Sequence, residues 1–206
     1  MSRLCGRQDV GSGTNRQAVL SVGLHSYTPV IDMSVDPQTF KGALGRFASG
    51  VTVVTVHTSG EEAGDYGMTA SAFCSVSLNP PLIQVCVKKG NHTHGLLQGA
   101  AGFAVSILSE DQKALSNRYG GWGDKPQDHF DDLAGTEPLP RGEVSGAPLL
   151  PGAMAWLDCT RFAAHDAGDH TIFIGEVQGA ALHGERDDLR PLLYFAGKYR
   201  AAGEAL

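Results

Sequence analysis

Four short stretches of the chain carry side chains able to do chemistry. Gly67-Met68-Thr69-Ala70-Ser71-Ala72-Phe73 mixes small and hydroxyl-bearing residues at the entry to an apolar strand. Small side chains let a flat ligand lie against the backbone, whose N–H and C=O groups can pair with the edge of a heterocycle. An ordinary strand lined with small residues has the same composition. Lys88-Lys89-Gly90-Asn91-His92-Thr93 follows another strand and offers two cations, an amide and a hydroxyl at a glycine-bearing loop. These are the ingredients of a phosphate cradle, although paired lysines at a strand end are often simply solvated. Gly168-Asp169-His170 sets a carboxylate–imidazole pair at a turn before the apolar strand Thr171–Gly175. Such a pair can handle a proton or bind a ligand, or it is a plain turn with an exposed histidine. Arg118-Tyr119 closes a helical pattern and presents a guanidinium and a ring to a planar anion. A cation at a helix C-terminus is also favoured by the helix dipole alone.

Several familiar sites are missing. No GxGxxG follows a strand, and GxxxxGK[ST], HExxH and GxSxG do not occur. His92 and His94 form an HxH pair, but Asn91, Thr93 and Gly95 suit a loop and no acidic ligand follows at a fitting distance, so no metal is expected.

The elements that must position these residues are mostly strands. In 206 residues there are 27 glycines, roughly twice the usual share, which points to many turns and close backbone approaches. The net charge of -6 argues against a nucleic-acid binder, since phosphate neutralisation needs a basic face. Cys5, Cys74, Cys86 and Cys159 form no CxxC, and three lie in apolar runs; they read as reduced, mostly buried thiols of a cytoplasmic protein. No apolar run approaches the length of a membrane span.

Residues 1–33 lack periodicity and read as a disordered tail, with Met33 a candidate start of translation. A single domain is expected over 34–206. Asp36-Pro37 caps a helix with Phe40, Leu44 and Phe47 on one face, seated on a core and stopped by Gly50. Strands are expected at Val51–Val56, Met68–Ser77, Leu82–Val87, Phe103–Leu108, Ala153–Arg161, His170–Val177 and Leu192–Phe195, the third too apolar for a wet face. Gly60–Gly67 and Gly90–Gly99 read as loops, the latter with one helical turn. Glu110–Tyr119 reads as a helix and Trp122–Gly152 as a long irregular connection. This pattern is mainly β, without the βαβ repeat, and a closed or nearly closed antiparallel barrel disposes of its edges.

In order and separation, the segments FASGVTVVTV (Phe47–Val56), GMTASAFCSVSLNPPL (Gly67–Leu82), GDH (Gly168–His170) and PLLYFAGKY (Pro191–Tyr199) resemble the flavin reductase family that supplies reduced flavin to two-component monooxygenases. The resemblance implies a Greek-key split β-barrel of the FMN-binding type with a few flanking helices, a homodimer, and flavin near the subunit interface. It further implies that Thr69, Ala70, Ser71, Ala72 and Phe73 contact the isoalloxazine and ribityl chain, with Val76 and Ser77 nearby. Asn91, His92 and Thr93 would hold the phosphate with Lys88 or Lys89, Arg118 and Tyr119 would close the site, and His170 beside Asp169 would face the nicotinamide. His170 is expected to position that ring rather than act as an obligatory acid.

Ala72 departs from the Ser or Thr common in the family, and Asn91 from its Ser, which leaves the phosphate contacts and the choice between FMN and FAD open. NADH is expected as donor, with NADPH the alternative, because no basic cluster near GDH awaits a 2′-phosphate. The expected partner is a flavin-dependent monooxygenase. Two other readings stand beside this one: an oxidoreductase or monooxygenase that keeps its flavin and uses Trp122–Gly152 as a substrate lid, and a non-catalytic flavin- or haem-binding barrel.

Overall fold

A computed structural model describes residues 35–60, 63–121, 130–184 and 189–204. The expected tail at 1–33 and the candidate start at Met33 lie outside them, as does Cys5. Residues up to Phe40 form one unit and those from Lys41 onward another. In the first, Asp36 Oδ1 accepts the N–H groups of Gln38 (2.9 Å) and Thr39 (3.1 Å), the expected N-cap. Helix α1 runs Pro37–Leu44 and stops well before Gly50. Phe47 therefore lies beyond the helix. The expectation of an apolar face on a core fails: α1 buries no residue, and Leu44 and Phe47 are 58% and 78% exposed.

Among its described residues the second unit is built on ten strands and two further α-helices. They are β1 (Ser49–Gly50), β2 (Thr52–Thr58), β3 (Gly64–Ala70), β4 (Phe73–Leu78), β5 (Pro81–Lys88), α2 (His92–Gly99), β6 (Gly102–Ile107), α3 (Lys113–Tyr119), β7 (Ala155–Ala167), β8 (His170–Leu182), β9 (Leu193–Phe195) and β10 (Lys198–Arg200). Seven strands form one antiparallel sheet in the order β3-β2-β6-β7-β8-β5-β4. Its two end strands, β3 and β4, are consecutive in the chain and separated only by Ser71 and Ala72. A sheet whose ends are joined by two residues must curl back on itself, which gives the Greek-key split barrel.

The Val-rich run of β2 is buried on both faces. Val54 and Val56 enter the barrel core with Val85, Val87, Phe103 and Phe173. Val51 and Val53 point outward into a second core with Leu108, Tyr119, Phe130, Leu150 and Leu192, roofed by α3 and by the small sheet β1-β9-β10. Burial on two sides is why this stretch shows no alternation.

Other boundaries differ from expectation for local reasons. The expected loop at Gly60–Gly67 is half strand, because Asp65 and Tyr66 pair with His57 and Val56. The expected strand Met68–Ser77 is two strands broken at Ser71-Ala72. β5 does alternate: Ile83, Val85 and Val87 are buried, while Leu82, Gln84 and Cys86 are half-buried on its other face. The expected loop at Gly90–Gly99 is helix α2, capped by Asn91, whose Oδ1 accepts the Thr93 N–H at 3.1 Å, and anchored by buried Leu96 and Leu97. β7 and β8 reach further than expected and form a long hairpin, turned at Gly168 with φ +62°. Of the three described cysteines, all free, Cys74 is exposed rather than buried.

Candidate functional site

The site is built around the two-residue link that closes the barrel. Thr69 and Ala70 end β3, where strand alternation sends Ala70 into the barrel core and Thr69 to the opposite face. The Ala70 carbonyl accepts from the Thr52 hydroxyl at 2.8 Å, and the Ala72 carbonyl from the Cys86 N–H at 3.0 Å. Among the described residues nothing accepts from the N–H groups of Ser71 and Ala72. Both residues are exposed, while Phe73 tucks partly against the barrel core. The link therefore offers two adjacent backbone donors and no bulky side chain.

Facing it is the β9–β10 hairpin. Tyr194 and Tyr199 sit edge to face, 5.5 Å between ring centroids. The Tyr199 hydroxyl and Ser116 Oγ share a hydrogen bond of 2.8 Å, and the Thr69 hydroxyl donates to the Ser116 carbonyl at 2.7 Å. A cleft of about 180 Å³ lies between Val51, Thr69, Ser71, Gly120, Tyr194 and Tyr199. A wider one of about 590 Å³, with Lys41, Phe47, Ser49 and Gly197 in its walls, shares Ser71 and Tyr194 with it. The two clefts meet at the link. Ser116 was not singled out from the sequence; Tyr194 and Tyr199 lie in the PLLYFAGKY segment that carried the resemblance, with no site role given to either ring.

A second group gathers at the end of β5. The Cys86–Ala72 bond sets this end beside the link, and Lys88 lies opposite His170 in the β5–β8 ladder. His170 Nδ1 is 2.8 Å from Asp169 Oδ1, and this hydrogen bond holds the Asp169 carboxyl below its ordinary range. Lys88 is exposed, whereas Lys89 pairs with Asp166 at 3.3 Å. Asn91, His92 and Thr93 open helix α2, where backbone N–H groups favour an anion. Asn91 spends its carbonyl on the cap and keeps its amide hydrogens. Thr93 is buried, and His92 is exposed with its ring edge-on to Tyr66. His94 turns inward to bond Thr171 Oγ1 at 2.8 Å, so the two histidines of the HxH pair face different surroundings. The sequence therefore marked Thr69–Ala72, Lys88–Thr93 and Asp169-His170, and the fold brings these segments to one end of the barrel.

The remaining candidates have other surroundings. Arg118 makes two hydrogen bonds of 3.0 Å to the Asp132 carboxylate. Tyr119 is fully buried beside Phe130, and burial drives its hydroxyl pKa well up. Only its neighbour Gly120 reaches the narrow cleft. Val76 and Ser77 lie toward the far end of β4, next to a bulge after Ser75. Among the described residues no group of His, Cys, Asp and Glu is placed to hold a metal, and no helix is long and apolar enough to cross a membrane.

The family described as "Flavin reductase like domain" matches residues 44–203, and the chain belongs to it. SmoA of Agrobacterium fabrum (strain C58 / ATCC 33970), named an FMN reductase (NADH), is 42% identical over 164 residues, which is 79% of this chain and 84% of its own. BorF, the flavin reductase component of a bacterial two-component tryptophan halogenase, superposes with a TM-score of 0.71 at 39% identity, covering 82% of this chain and all of its own. SgcE6 of Streptomyces globisporus C-1027, an NADH:FAD oxidoreductase solved with NAD and FAD fragments, superposes at 0.70 with 37% identity, covering 83% and 97%.

Proposed function

We propose that this chain is an NADH-dependent flavin reductase that delivers reduced FMN or FAD to a partner flavin-dependent monooxygenase. The observation that carries the reading is the pair of unpartnered N–H groups on Ser71 and Ala72, at the meeting of two clefts that share Tyr194, in a chain of the flavin reductase-like family. SmoA and SgcE6, named as NADH enzymes, support the donor.

The residues present suit a flavin. A flat ring needs a slot without bulky side chains, its polar edge needs donors, and its phosphate needs cations. Ser71-Ala72 and Tyr194 supply the slot, the link N–H groups the donors, and Lys88 with the Asn91 amide the phosphate end. The redox chemistry would be supplied by the bound flavin, as acceptor of the NADH hydride. The protein's share is alignment and electrostatics. Fixed N–H donors at the link would stabilise negative charge gathering on the ring as it is reduced, without reorganisation. His170, oriented by Asp169, would hold the nicotinamide over the ring. The relatives, named as reductases or reductase components, favour this activity over a flavin-retaining oxygenase or a non-catalytic module.

Assembly as a homodimer is supported by large apolar side chains left bare, including Phe47 and Leu78, the latter 92% exposed. A cytoplasmic location is supported by the free thiols of Cys74, Cys86 and Cys159. The test is NADH oxidation by purified protein with and without FMN, FAD or riboflavin, with NADPH as control. Turnover that depends on added flavin and saturates with it is the expected result. A tightly retained flavin with no NADH oxidation would overturn the reading.

A further inference from the structure

Two consecutive residues of β8, His170 and Thr171, hold the loop between β5 and α2 from both sides. That loop is Lys89-Gly90-Asn91, turned at Gly90 with φ +81°. On the strand side, Lys88 lies opposite His170 in the ladder, and the Lys89 N–H donates to the Asp169 carbonyl at 2.9 Å. On the helix side, His94 reaches inward from the first turn of α2, and its Nε2 is 2.8 Å from Thr171 Oγ1. Thr171 is fully buried, and its hydroxyl donates to Asp166 Oδ1 at 3.3 Å. A hydroxyl has one proton, so Thr171 accepts from His94 rather than donating to it. Asp166 leads back to the loop through Lys89, whose Nζ is 3.3 Å from the same oxygen. The His94 ring also sits edge to face with Phe173 of β8, 5.7 Å between centroids.

Leu96 and Leu97 bury α2 in the barrel core, but apolar contact is non-directional and fixes neither the rotation of the helix nor the aim of its N-terminus. A directed bond in the first turn fixes both. We propose that His94 is a positioning residue for the phosphate end of the flavin: its bond to Thr171 sets the opening of α2 and the Asn91 amide alongside Lys88. This rests on the flavin reductase reading above. His94 acts through the helix and makes no contact with the ligand itself. The two clefts at Ser71, which would take the ring, share no residue with this clamp. Loosening the clamp therefore weakens the hold on a phosphate and spares the hold on a ring.

Riboflavin is FMN without its phosphate, so the ratio of their dissociation constants isolates the phosphate end. Fluorescence quenching measures that ratio for the wild type and three variants. His94→Gln puts an amide nitrogen in the place of Nε2, His94→Leu cannot donate, and Thr171→Val removes the acceptor at nearly the same volume; circular dichroism checks folding. Wild type and His94→Gln should bind FMN about tenfold or more tightly than riboflavin. His94→Leu and Thr171→Val should lose most of that ratio by weakening FMN alone. A ratio kept in either of these two, a loss shared equally by both flavins, or a ratio lost in His94→Gln as well overturns the positioning role and leaves the reductase reading intact. So does a wild type that binds the two flavins equally, or failure of both His94→Leu and Thr171→Val to fold, which makes the bond a structural one. Wild-type protein that binds neither flavin and oxidises no NADH overturns both.

Discussion

The ring of Tyr119 fills the space above the bare backbone of Gly67. A Cβ at Gly67 would come within 2.6 Å of Tyr119 Cδ1 and 2.7 Å of Cε1. Phe130 packs against Tyr119, 5.1 Å between centroids, and its Cζ borders the same space above Gly67. Helix α3 is thereby pressed onto β3 two residues before Thr69, so a buried contact sets the height of the cleft.

Gly67→Ala should therefore lower stability by about 1–3 kcal/mol, the usual cost of overpacking a core. Urea unfolding monitored by tryptophan fluorescence measures it. The same variant should weaken flavin binding, because α3 carries the Ser116 and Gly120 groups that face Thr69. Unchanged unfolding would mean the ring moves aside without cost.

The Ser116–Tyr199 bond ties α3 to the last hairpin and invites a double-mutant cycle. Tyr199→Phe and Ser116→Ala should each cost about 1 kcal/mol, and the double variant less than their sum, since removing both partners leaves no buried hydroxyl unmet. Additive losses would show that the hydroxyls do not depend on each other.

How much of this was legible beforehand depended on whether a signal was local. The Asp36-Pro37 cap, the Val51–Val56 strand and the Gly168 turn are written in neighbouring residues, and they were read correctly. Helix α2 exceeds the single turn expected, which Thr93, His94 and Gly95, poor helix formers, do not announce; its stability comes from the Asn91 cap and from Leu96 and Leu97 reaching the barrel core. The outward seating of Phe47 was missed for the opposite reason, since periodicity says which residues share a face and not whether anything covers it. In the site, the strand-end motifs stood out as composition. Ser116 and Tyr199, 83 residues apart, meet only through the packing of α3 on the hairpin, and no spacing announces that.

His170→Ala should raise the Michaelis constant for NADH more than it weakens flavin binding, because His170 does not line the cleft under Tyr194 that would take the ring. Steady-state kinetics together with flavin titration separate the two. A variant that loses flavin affinity and keeps its NADH constant would count against the assignment.

Acid should remove one identifiable support. Burial pushes the Asp65 carboxyl up, but Arg141 and His57, bonded to it at 2.9 and 2.8 Å, outweigh burial and leave it below its ordinary value. A depressed folded pKa stabilises fully above the unfolded value near 4 and loses that stabilisation as pH falls through the folded one. Asp65→Asn should cost about 1 kcal/mol at pH 7, discounted for the partly exposed Arg141. Melting temperatures of variant and wild type should converge below about pH 4. A constant gap across that range would show that the pair contributes nothing through its charge.

The closure of the barrel by Ser71 and Ala72 bears on which mutations the family can accumulate. These residues join the two edges of the sheet, and their N–H groups are claimed by no other strand. Drift at this seam is therefore answerable to the ligand far more than to the fold. Side chains here can change while every strand pair of the barrel stays in register, so the grip on the ring can diverge without a stability toll to be repaid elsewhere.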